Sequence, residues 1–304
     1  MRNEYYFRVA GLLFSVVLPD GWDVETILPS FHPFRCKTCP EGEAIFRILA
    51  TTQSFADDGM RTELLEDSPN DIGRTRLFRS SDGYCVEINN DTTQNGLVHT
   101  MITDRHFKSA TAYIRPEDSS MGAVLSSMVR FLFAQVVLEH DGVFVHASCV
   151  SMEGKSYLFL GKSGTGKSTH ARQWLQAFTE CSLLNDDNPA LRIEDGKVMV
   201  YGTPWSGKTS CYKNEGYPVA GIARLKQAET NCFSPLEGPE IFAALLPSCS
   251  AIRQDADLME ALYCTLIQVA EKINVGRMEC LPNIDAARVC YNSLYARGRI
   301  SRIS

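Results

Sequence analysis

The sequence predicts an α/β protein in which a smaller β-rich domain precedes an α/β domain. Short apolar stretches separated by turn residues fill residues 1–118, whereas from residue 119 apolar side chains recur with helical spacing. A buried strand, a glycine-rich loop and an amphipathic helix follow one another directly within residues 156–178. Because 304 residues suffice for two ordinary domains, we predict a first domain over 1–118 and a second over 119–304.

The first domain is predicted to be an antiparallel β structure. Residues 4–18 alternate and then become apolar, which indicates a strand, a turn and a second strand. The prolines at positions 29 and 33 predict a loop over 28–34, because proline disfavours a helix interior. We find no catalytic cluster in this domain, and its role stays open. Further strands are predicted over 44–50, 75–79, 84–88, 97–102 and 110–114.

The second domain is predicted to open with a long helix that Ser119 and Ser120 cap and that continues to about residue 139. An apolar strand at 143–150 then turns through a hairpin into the strand at 157–160. A short strand at 182–184 ends in polar residues, and a hairpin joins 190–193 to 197–201. The remaining predicted elements are a strand at 221–225 and helices at 241–246, 258–271 and 284–296.

Composition narrows the class of protein. The formal net charge of −6 argues against a general binder of nucleic acid or anionic membranes, which needs a basic field. No apolar run approaches the length of a membrane span, and the N-terminus lacks the apolar region of a secretory signal. Eleven scattered cysteines, an odd number, suit free thiols, and Cys36 and Cys39 alone are a weak metal or redox signal. We therefore expect a cytoplasmic protein.

The glycine-rich loop matches the pattern G-x-x-x-x-G-K-[ST], which cradles nucleotide phosphates. Its glycines let successive backbone N–H groups converge on phosphate oxygens, and the N-terminus of the following helix faces the same anion. Lys167 is predicted to approach the β- and γ-phosphates, and Ser168 to ligate Mg²⁺. The predicted nucleotide-binding residues here are Gly161, Lys162, Ser163, Gly164, Thr165, Gly166, Lys167, Ser168 and Thr169.

An acidic pair, Asp186 and Asp187, follows an apolar strand downstream of the loop. One carboxylate at such a strand end can hold Mg²⁺, and its neighbour can take a proton from an acceptor hydroxyl, because adjacent residues of a strand point opposite ways. The other interpretation is an acidic turn before Pro189. His146 lies in the strand before the hairpin, where it can orient an aspartate or simply be a core histidine.

Two basic residues are further candidates. Lys208 lies in the polar loop 202–208 and can supply a second cation to the γ-phosphate or to an acidic acceptor, or be a solvated surface lysine. Arg277 lies in a short strand-like stretch and can stabilise a transferring phosphoryl group, or form a structural salt bridge.

His146, the hairpin, the loop Gly161–Ser168 and the acidic pair together resemble the catalytic domain of HPr kinase/phosphorylase, over about residues 140–210. That family belongs to a P-loop superfamily shared with phosphoenolpyruvate carboxykinase. The resemblance implies a P-loop kinase fold that uses ATP and Mg²⁺. It also implies Asp186 as the acid/base, His146 as its partner, Lys167 as the phosphate lysine, and Ser168 and Asp187 as metal ligands. Thr169 departs from the family, which usually has an acidic residue there.

The predicted function is an ATP-dependent, Mg²⁺-requiring phosphotransferase of the serine-kinase type. Its partners would be the nucleotide and a hydroxyl-bearing acceptor in a protein, peptide or small molecule, and a homo-oligomer stays open. The alternatives are a nucleotide-dependent peptide-binding or maturation factor with ATPase activity, and a small carboxykinase. The carboxykinase would need an arginine-rich substrate pocket and Mn²⁺ ligands that the sequence does not display.

Overall fold

The computed structural model describes residues 3–36, 43–56, 59–70, 73–89, 97–207 and 209–300. The chain forms two compact units, 1–136 and 137–304. Each unit contains one β-sheet together with helices, so the predicted α/β class is confirmed. The HPr kinase type of domain stays a prediction.

The first unit is built on an eight-stranded sheet. Its order is β1-β2-β3-β8-β7-β6-β5-β4, and most neighbouring strands are antiparallel, as predicted. The exception is β3, which runs parallel to both β2 and β8, so the sheet is mixed. The strands are β1 Asn3–Val9, β2 Leu12–Leu18, β3 Arg47–Thr51, β4 Arg61–Asn70, β5 Gly73–Ser80, β6 Gly83–Asn89, β7 Val98–Asp104 and β8 Ser109–Tyr113.

Helices cover one face of the first unit's core. A short helix α1 spans Val24–Ile27, and the long helix α2 spans Met121–Val136. Residues Pro29–Phe34 form a 3₁₀ helix rather than the predicted loop, because the first proline occupies the helix start and both Phe31 and Phe34 are buried. Just before α2, Oδ1 of Asp118 accepts from the backbone N–H of Ser120 at 2.7 Å, and the carbonyl oxygen of Ser120 accepts from the N–H of Val124 at 3.0 Å.

The boundary between the units lies at residue 136, not at 118. The helix α2 belongs to the first unit because its aromatic residues pack there. The ring centres of Phe133 and Phe14 lie 5.9 Å apart, and those of Phe131 and Phe107 lie 6.2 Å apart. A change of periodicity marks the start of a helix, but the packing of that helix decides the unit to which it belongs.

One helical stretch, Met121–His140, is long and apolar enough to span a membrane by length and composition. This corrects the expectation that no such run exists. The stretch is 61% buried within its most apolar window, as is usual for the core helix of a folded domain.

The second unit is built on a nine-stranded sheet. Its main path is β12-β10-β11-β15-β14-β13-β9, and β17 pairs with both β15 and β16. The strands are β9 Gly142–Phe144, β10 Ala147–Met152, β11 Lys155–Leu160, β12 Ser182–Asp187, β13 Ala190–Glu194, β14 Lys197–Tyr201, β15 Gly216–Gln227, β16 Cys232–Pro235 and β17 Val275–Cys280. The hairpin between β10 and β11 turns through Glu153 and Gly154, both with positive φ, as the sequence predicts.

The helices of this unit are α3 Lys167–Ala177, α4 Pro239–Leu245, α5 Ala256–Lys272 and α6 Ile284–Ile300. Helices α3 and α6 pack together on one face of the sheet around the fully buried indole of Trp174, which contacts Tyr157 and Phe159 of β11. This packing holds the strand before the glycine-rich loop against the helix after it. The loop is therefore anchored at both ends by the core.

Candidate active site

The glycine-rich loop connects the end of β11 to the start of α3 and has the backbone that its glycines allow. Gly164 and Gly166 have φ values of 78° and 104°, in the left-handed region that favours glycine. The hydroxyl and the backbone N–H of Thr165 both donate to the carbonyl oxygen of Lys162, at 2.7 and 3.1 Å, which closes the turn. The loop thus has a defined shape at a helix N-terminus, the setting in which proteins bind anions.

Lys167 is the first residue of α3, and its side chain folds back toward β11. Its ammonium donates to the carbonyl oxygen of Gly161 at 3.1 Å and to Nε2 of His146 at 2.8 Å. The residue is only 9% exposed. Burial lowers the pKa of this ammonium, and the charges of Asp187 and Asp186 act in the opposite direction. The side chain of Lys167 is therefore largely buried rather than exposed at the surface.

His146 lies in a break between β9 and β10, not inside one continuous strand as predicted. The break exists because the chain changes partners: β9 pairs with β13, whereas β10 pairs with β11 and β12. At the break the backbone N–H of His146 donates to the carbonyl oxygen of Ser248 at 2.7 Å. The imidazole is partly exposed, so His146 is not a core histidine.

His146 contacts the second aspartate of the acidic pair rather than the first. Its Nδ1 lies 3.0 Å from Oδ1 of Asp187. Since the Lys167 ammonium donates to Nε2, Nδ1 carries the ring proton and donates to the carboxylate. Lys167, His146 and Asp187 thus form a connected chain of polar groups, and the partnership of His146 with Asp186 expected from the resemblance is not what the structure records.

Asp186 points the opposite way from Asp187 and is almost completely buried. Its Oδ1 accepts from the hydroxyl of Ser148 at 2.5 Å. The pairing of β10 with β12 places Ser148 directly opposite Asp186, and Ala147 opposite Asp187. The two carboxylates therefore lie on opposite faces of the strand, as the alternation of side chains predicts.

Asn185 fixes the end of β12 to the following loop. Its side chain is completely buried; Oδ1 accepts from the backbone N–H groups of Asp187 and Asn188, and Nδ2 donates to the carbonyl oxygen of Trp205 at 3.1 Å. The amide of Asn188 also donates to Oδ2 of Asp187 at 2.5 Å. These bonds hold the acidic pair in one geometry.

One row of paired residues crosses the sheet at the level where the loop begins. Its members are directly opposite one another on adjacent strands, so their side chains share a face. With the usual strand spacing the row is about 19 Å long, with a carboxylate at one end and two guanidinium groups at the other. The row consists of Asp187, Ala147, Leu160, Arg224 and Arg277.

Arg277 lies on the other side of the loop from the acidic pair. It is exposed on β17, beside Arg224 of β15, and both line an open groove with residues 162–165 of the loop. Arg224 donates to the carbonyl oxygen of Ala244 at 2.6 Å, and burial followed by the charge of Arg277 lowers its pKa. No ion pair involves Arg277 within the part of the chain that the structure describes. Lys208 lies outside the described residues.

Two oxygen-bearing residues of this region could serve as ligands of a Mg²⁺ ion. Among the described residues, no group of three or more His, Cys, Asp and Glu side chains forms a metal cluster. Magnesium ordinarily takes one or two carboxylates and completes its shell with phosphate oxygens and water. Ser168 at the start of α3 and Asp187 at the end of β12 offer hard oxygen ligands of this kind.

Sequence reasoning missed three residues that the structure adds. Ser148 contacts Asp186, Asn185 anchors the acidic pair, and Arg224 lies beside Arg277. Ser148 was detectable in principle, because the hairpin register places it beside the loop strand. The position of Arg224 beside Arg277 depends on the pairing of strands that are far apart in sequence, and no local pattern indicates that pairing.

The ten cysteines that the structure describes are all free thiols, in agreement with the composition. Cys36 is among them, and Cys39 lies outside the described residues.

Comparison with known proteins adds little to this geometry. No protein-family model matches the chain, and no curated protein matches it. A solved structure, the Hpr(Ser) kinase/phosphatase from Coxiella burnetii, is similar at 12% identity and a TM-score of 0.30, over 53% of this chain and 99% of that chain. A likeness of this degree carries no argument about activity, and the chain stands as a mixed α/β protein with two sheets.

Proposed function

We propose that this protein is an ATP-dependent, Mg²⁺-requiring phosphotransferase that transfers the γ-phosphoryl group to a hydroxyl acceptor. The observation that carries the proposal is the chain of contacts from Lys167 through His146 to Asp187. It joins the helix that follows the glycine-rich loop to Asp187 of the acidic pair, which supports a shared site for phosphate and metal.

The loop and helix α3 would hold the phosphates of the nucleotide. Backbone N–H groups of the loop supply donors, and Lys167 supplies a positive charge once phosphate oxygens replace His146 as its partner. Ser168 and Asp187 would hold Mg²⁺, which neutralises charge on the β- and γ-phosphates.

Asp186 would act as the proton acceptor. In the transfer, the acceptor oxygen forms a bond to the γ-phosphorus while the bond to the bridging oxygen of ADP breaks. The hydroxyl proton moves to the carboxylate of Asp186. Ser148 holds one oxygen of this carboxylate at 2.5 Å and so limits its orientation.

The proposal is tested with γ-labelled ATP, Mg²⁺ and a set of acceptors: free serine, a serine-containing peptide and a cell extract. We expect label on a hydroxyl. Lys167→Ala should reduce the rate at least about a hundredfold, because removing a charge that stabilises the transition state costs several kcal/mol. The matched control is Lys155→Ala, an exposed lysine at the opposite end of β11, which should retain the activity of the unmodified protein.

Two outcomes would contradict the phosphotransferase. Release of free phosphate without any labelled acceptor would favour the peptide-binding ATPase. Unchanged turnover of ATP by Lys167→Ala would show that the loop is not part of the active site.

A further inference from the structure

An open groove of about 540 Å³ lies beside the glycine-rich loop of the second unit. One wall is the loop itself, residues 162–165, and the other wall consists of residues from β15 and β17. All of these residues lie in stretches of chain that the structure describes without a gap. Small-molecule sites ordinarily have volumes of about 300–1,000 Å³, so the groove has the size of one. The residues of the second wall are Arg224, Leu225, Lys226, Gln227 and Arg277.

The loop and the groove are joined by backbone register and by a side chain. Parallel pairing of β11 with β15 places Leu160, the last residue before the loop, opposite Arg224. Nε2 of Gln227 donates to the carbonyl oxygen of Gly164 at 3.3 Å. A molecule in the groove would therefore contact the glycine-rich loop as well as the ends of the two strands.

Two arginines lie next to each other in this groove. The register of β15 and β17 places Arg224 directly opposite Arg277, and the charge of Arg277 adds to the effect of burial in lowering the pKa of Arg224. The nearby carboxylate of Glu279 pairs with Lys226 at 2.7 Å, and Arg277 makes no hydrogen bond or ion pair with any described residue. An anion beside the two arginines would reduce their mutual repulsion and accept from the Arg277 guanidinium.

The direction of the proposed transfer determines which part of the donor faces this groove. In phosphoryl transfer the attacking and leaving oxygens lie on opposite sides of the phosphorus, roughly in line. With Asp186 as the proton acceptor, the attacking hydroxyl approaches from the end of β12. The leaving ADP then extends away from β12. Since β10, β11, β15 and β17 follow β12 in the sheet, ADP extends across the loop toward the groove.

We propose that this groove holds the nucleoside end of the phosphoryl donor, and that Arg277 selects a nucleotide over inorganic tripolyphosphate. The inference rests on the proposed function, because it starts from Asp186 as the proton acceptor. It gives Arg277 a different role from the predicted one: the guanidinium contacts the leaving part of the donor, not the transferring phosphoryl group. A planar guanidinium suits this role, because it stacks on rings and binds phosphate oxygens in pairs.

The test is calorimetry on the full chain with two ligands, Mg·ATP and Mg·tripolyphosphate. Arg277→Ala should weaken Mg·ATP at least about tenfold but keep tripolyphosphate within about threefold, because tripolyphosphate has no nucleoside end. Lys167→Ala should weaken both ligands, since both carry the phosphates. The matched control is Arg288→Ala: this exposed arginine of α6 pairs with Asp285, does not line the groove, and should change neither affinity.

Photolabelling locates the nucleoside end without depending on the affinity for tripolyphosphate. After irradiation with 8-azido-ATP and proteolysis, the label should lie on the peptides that contain residues 224–227 or Arg277. Excess Mg·ATP should prevent this labelling. Label confined to the peptide that contains Asp186 and Asp187 would overturn the proposal.

Two calorimetric results would also overturn it. Unchanged Mg·ATP affinity in Arg277→Ala would mean that the groove does not hold the donor, and equal weakening of both ligands would place Arg277 at the phosphates. The proposed function fails separately: phosphate release without transfer, together with the expected result for Arg277→Ala, would overturn the phosphotransferase but retain the groove as part of an ATPase site. Absence of Mg·ATP binding to the unmodified chain would overturn both.

Discussion

At the residue scale, the imidazole of His146 is the group on which the candidate active site depends. It accepts from the Lys167 ammonium and donates to the Asp187 carboxylate, at 2.8 and 3.0 Å, which selects one tautomer. If the proposed function is correct, phosphate oxygens displace His146 from Lys167 when a nucleotide binds.

A double-variant cycle tests which aspartate works with His146. His146→Ala and Asp187→Asn should be coupled by about 1 kcal/mol in Mg·ATP affinity measured by calorimetry, because each removes one end of the same contact. His146→Ala and Asp186→Asn should be nearly additive, because Asp186 contacts Ser148 instead. Asp186→Asn alone should bind Mg·ATP within a few-fold but lose transfer. Coupling to Asp186 and none to Asp187 would reverse these roles.

His170 makes stability depend on pH. It is buried against Trp174 and Phe159, and burial lowers its pKa from 6.5 to about 4. The unfolded chain therefore binds the proton more readily, so the free energy of unfolding should fall as pH drops from about 6.5 to about 4. At about 1.36 kcal/mol per pKa unit the loss is about 3 kcal/mol.

Urea titrations followed by tryptophan fluorescence, at pH 7 and at pH 4.5, measure this loss. His170→Gln should remove most of it, since glutamine retains an acceptor for the Trp174 indole but does not titrate. His106→Gln, at an exposed histidine, should leave the pH dependence unchanged. An equal loss in all three proteins would show that other groups, such as the buried His99, dominate.

At the scale of elements, the site is a junction of two hairpin strands, a loop and a helix. The hairpin through Glu153 and Gly154 sets β10 beside β11, and the core around Trp174 fixes α3 below them. Strand β12 then adds its polar end next to β10. None of these elements forms the site alone, because the residues that contact one another come from different elements.

Substitutions at two glycines distinguish the effect of backbone conformation on stability from the effect of the loop on nucleotide binding. Gly164 in the loop and Gly154 in the hairpin have similar φ values, 78° and 72°, and an added Cβ at either position meets nothing within 4 Å. Alanine at either position should therefore cost about 1 kcal/mol of stability, measured by urea unfolding.

Only Gly164→Ala should also weaken Mg·ATP binding, by at least about tenfold, because its backbone belongs to the loop that is proposed to hold the phosphates. Equal nucleotide affinity in the two variants would mean that the loop does not contact phosphate.

At the scale of the whole molecule, the candidate active site belongs to one of the two units. Every described residue of that site lies within 137–304. Each unit has a sheet of its own, and the buried cluster around Trp174 belongs wholly to the second unit. The predicted boundary at 118 would have cut α2 away from the aromatic core into which it packs.

Residues 137–304 expressed alone should therefore fold and bind Mg·ATP within about threefold of the full chain, as measured by circular dichroism and calorimetry. A fragment that folds but does not bind would show that residues 1–136 contribute to the nucleotide site. A fragment that does not fold would contradict the independence of the second unit.

Local sequence was enough to predict the α/β class, most strands and helices, and the phosphate-loop candidate. These features depend on periodicity and on glycine, whose effects are felt within a few residues. Strand β4 was not predicted, because Arg61–Asn70 is too polar to show an apolar pattern. The break at His146 was not predicted, because an apolar run does not reveal a change of partner strands.

Only the tertiary structure decided which side chains meet. The order of residues placed His146, Lys167 and the acidic pair in one region, but the register between β10 and β12 determined that His146 contacts Asp187 and Ser148 contacts Asp186. A shift of one residue in that register would exchange the two faces. The physical reason is that periodicity encodes which face a residue occupies, whereas the partner across the sheet is chosen by the packing of the whole unit.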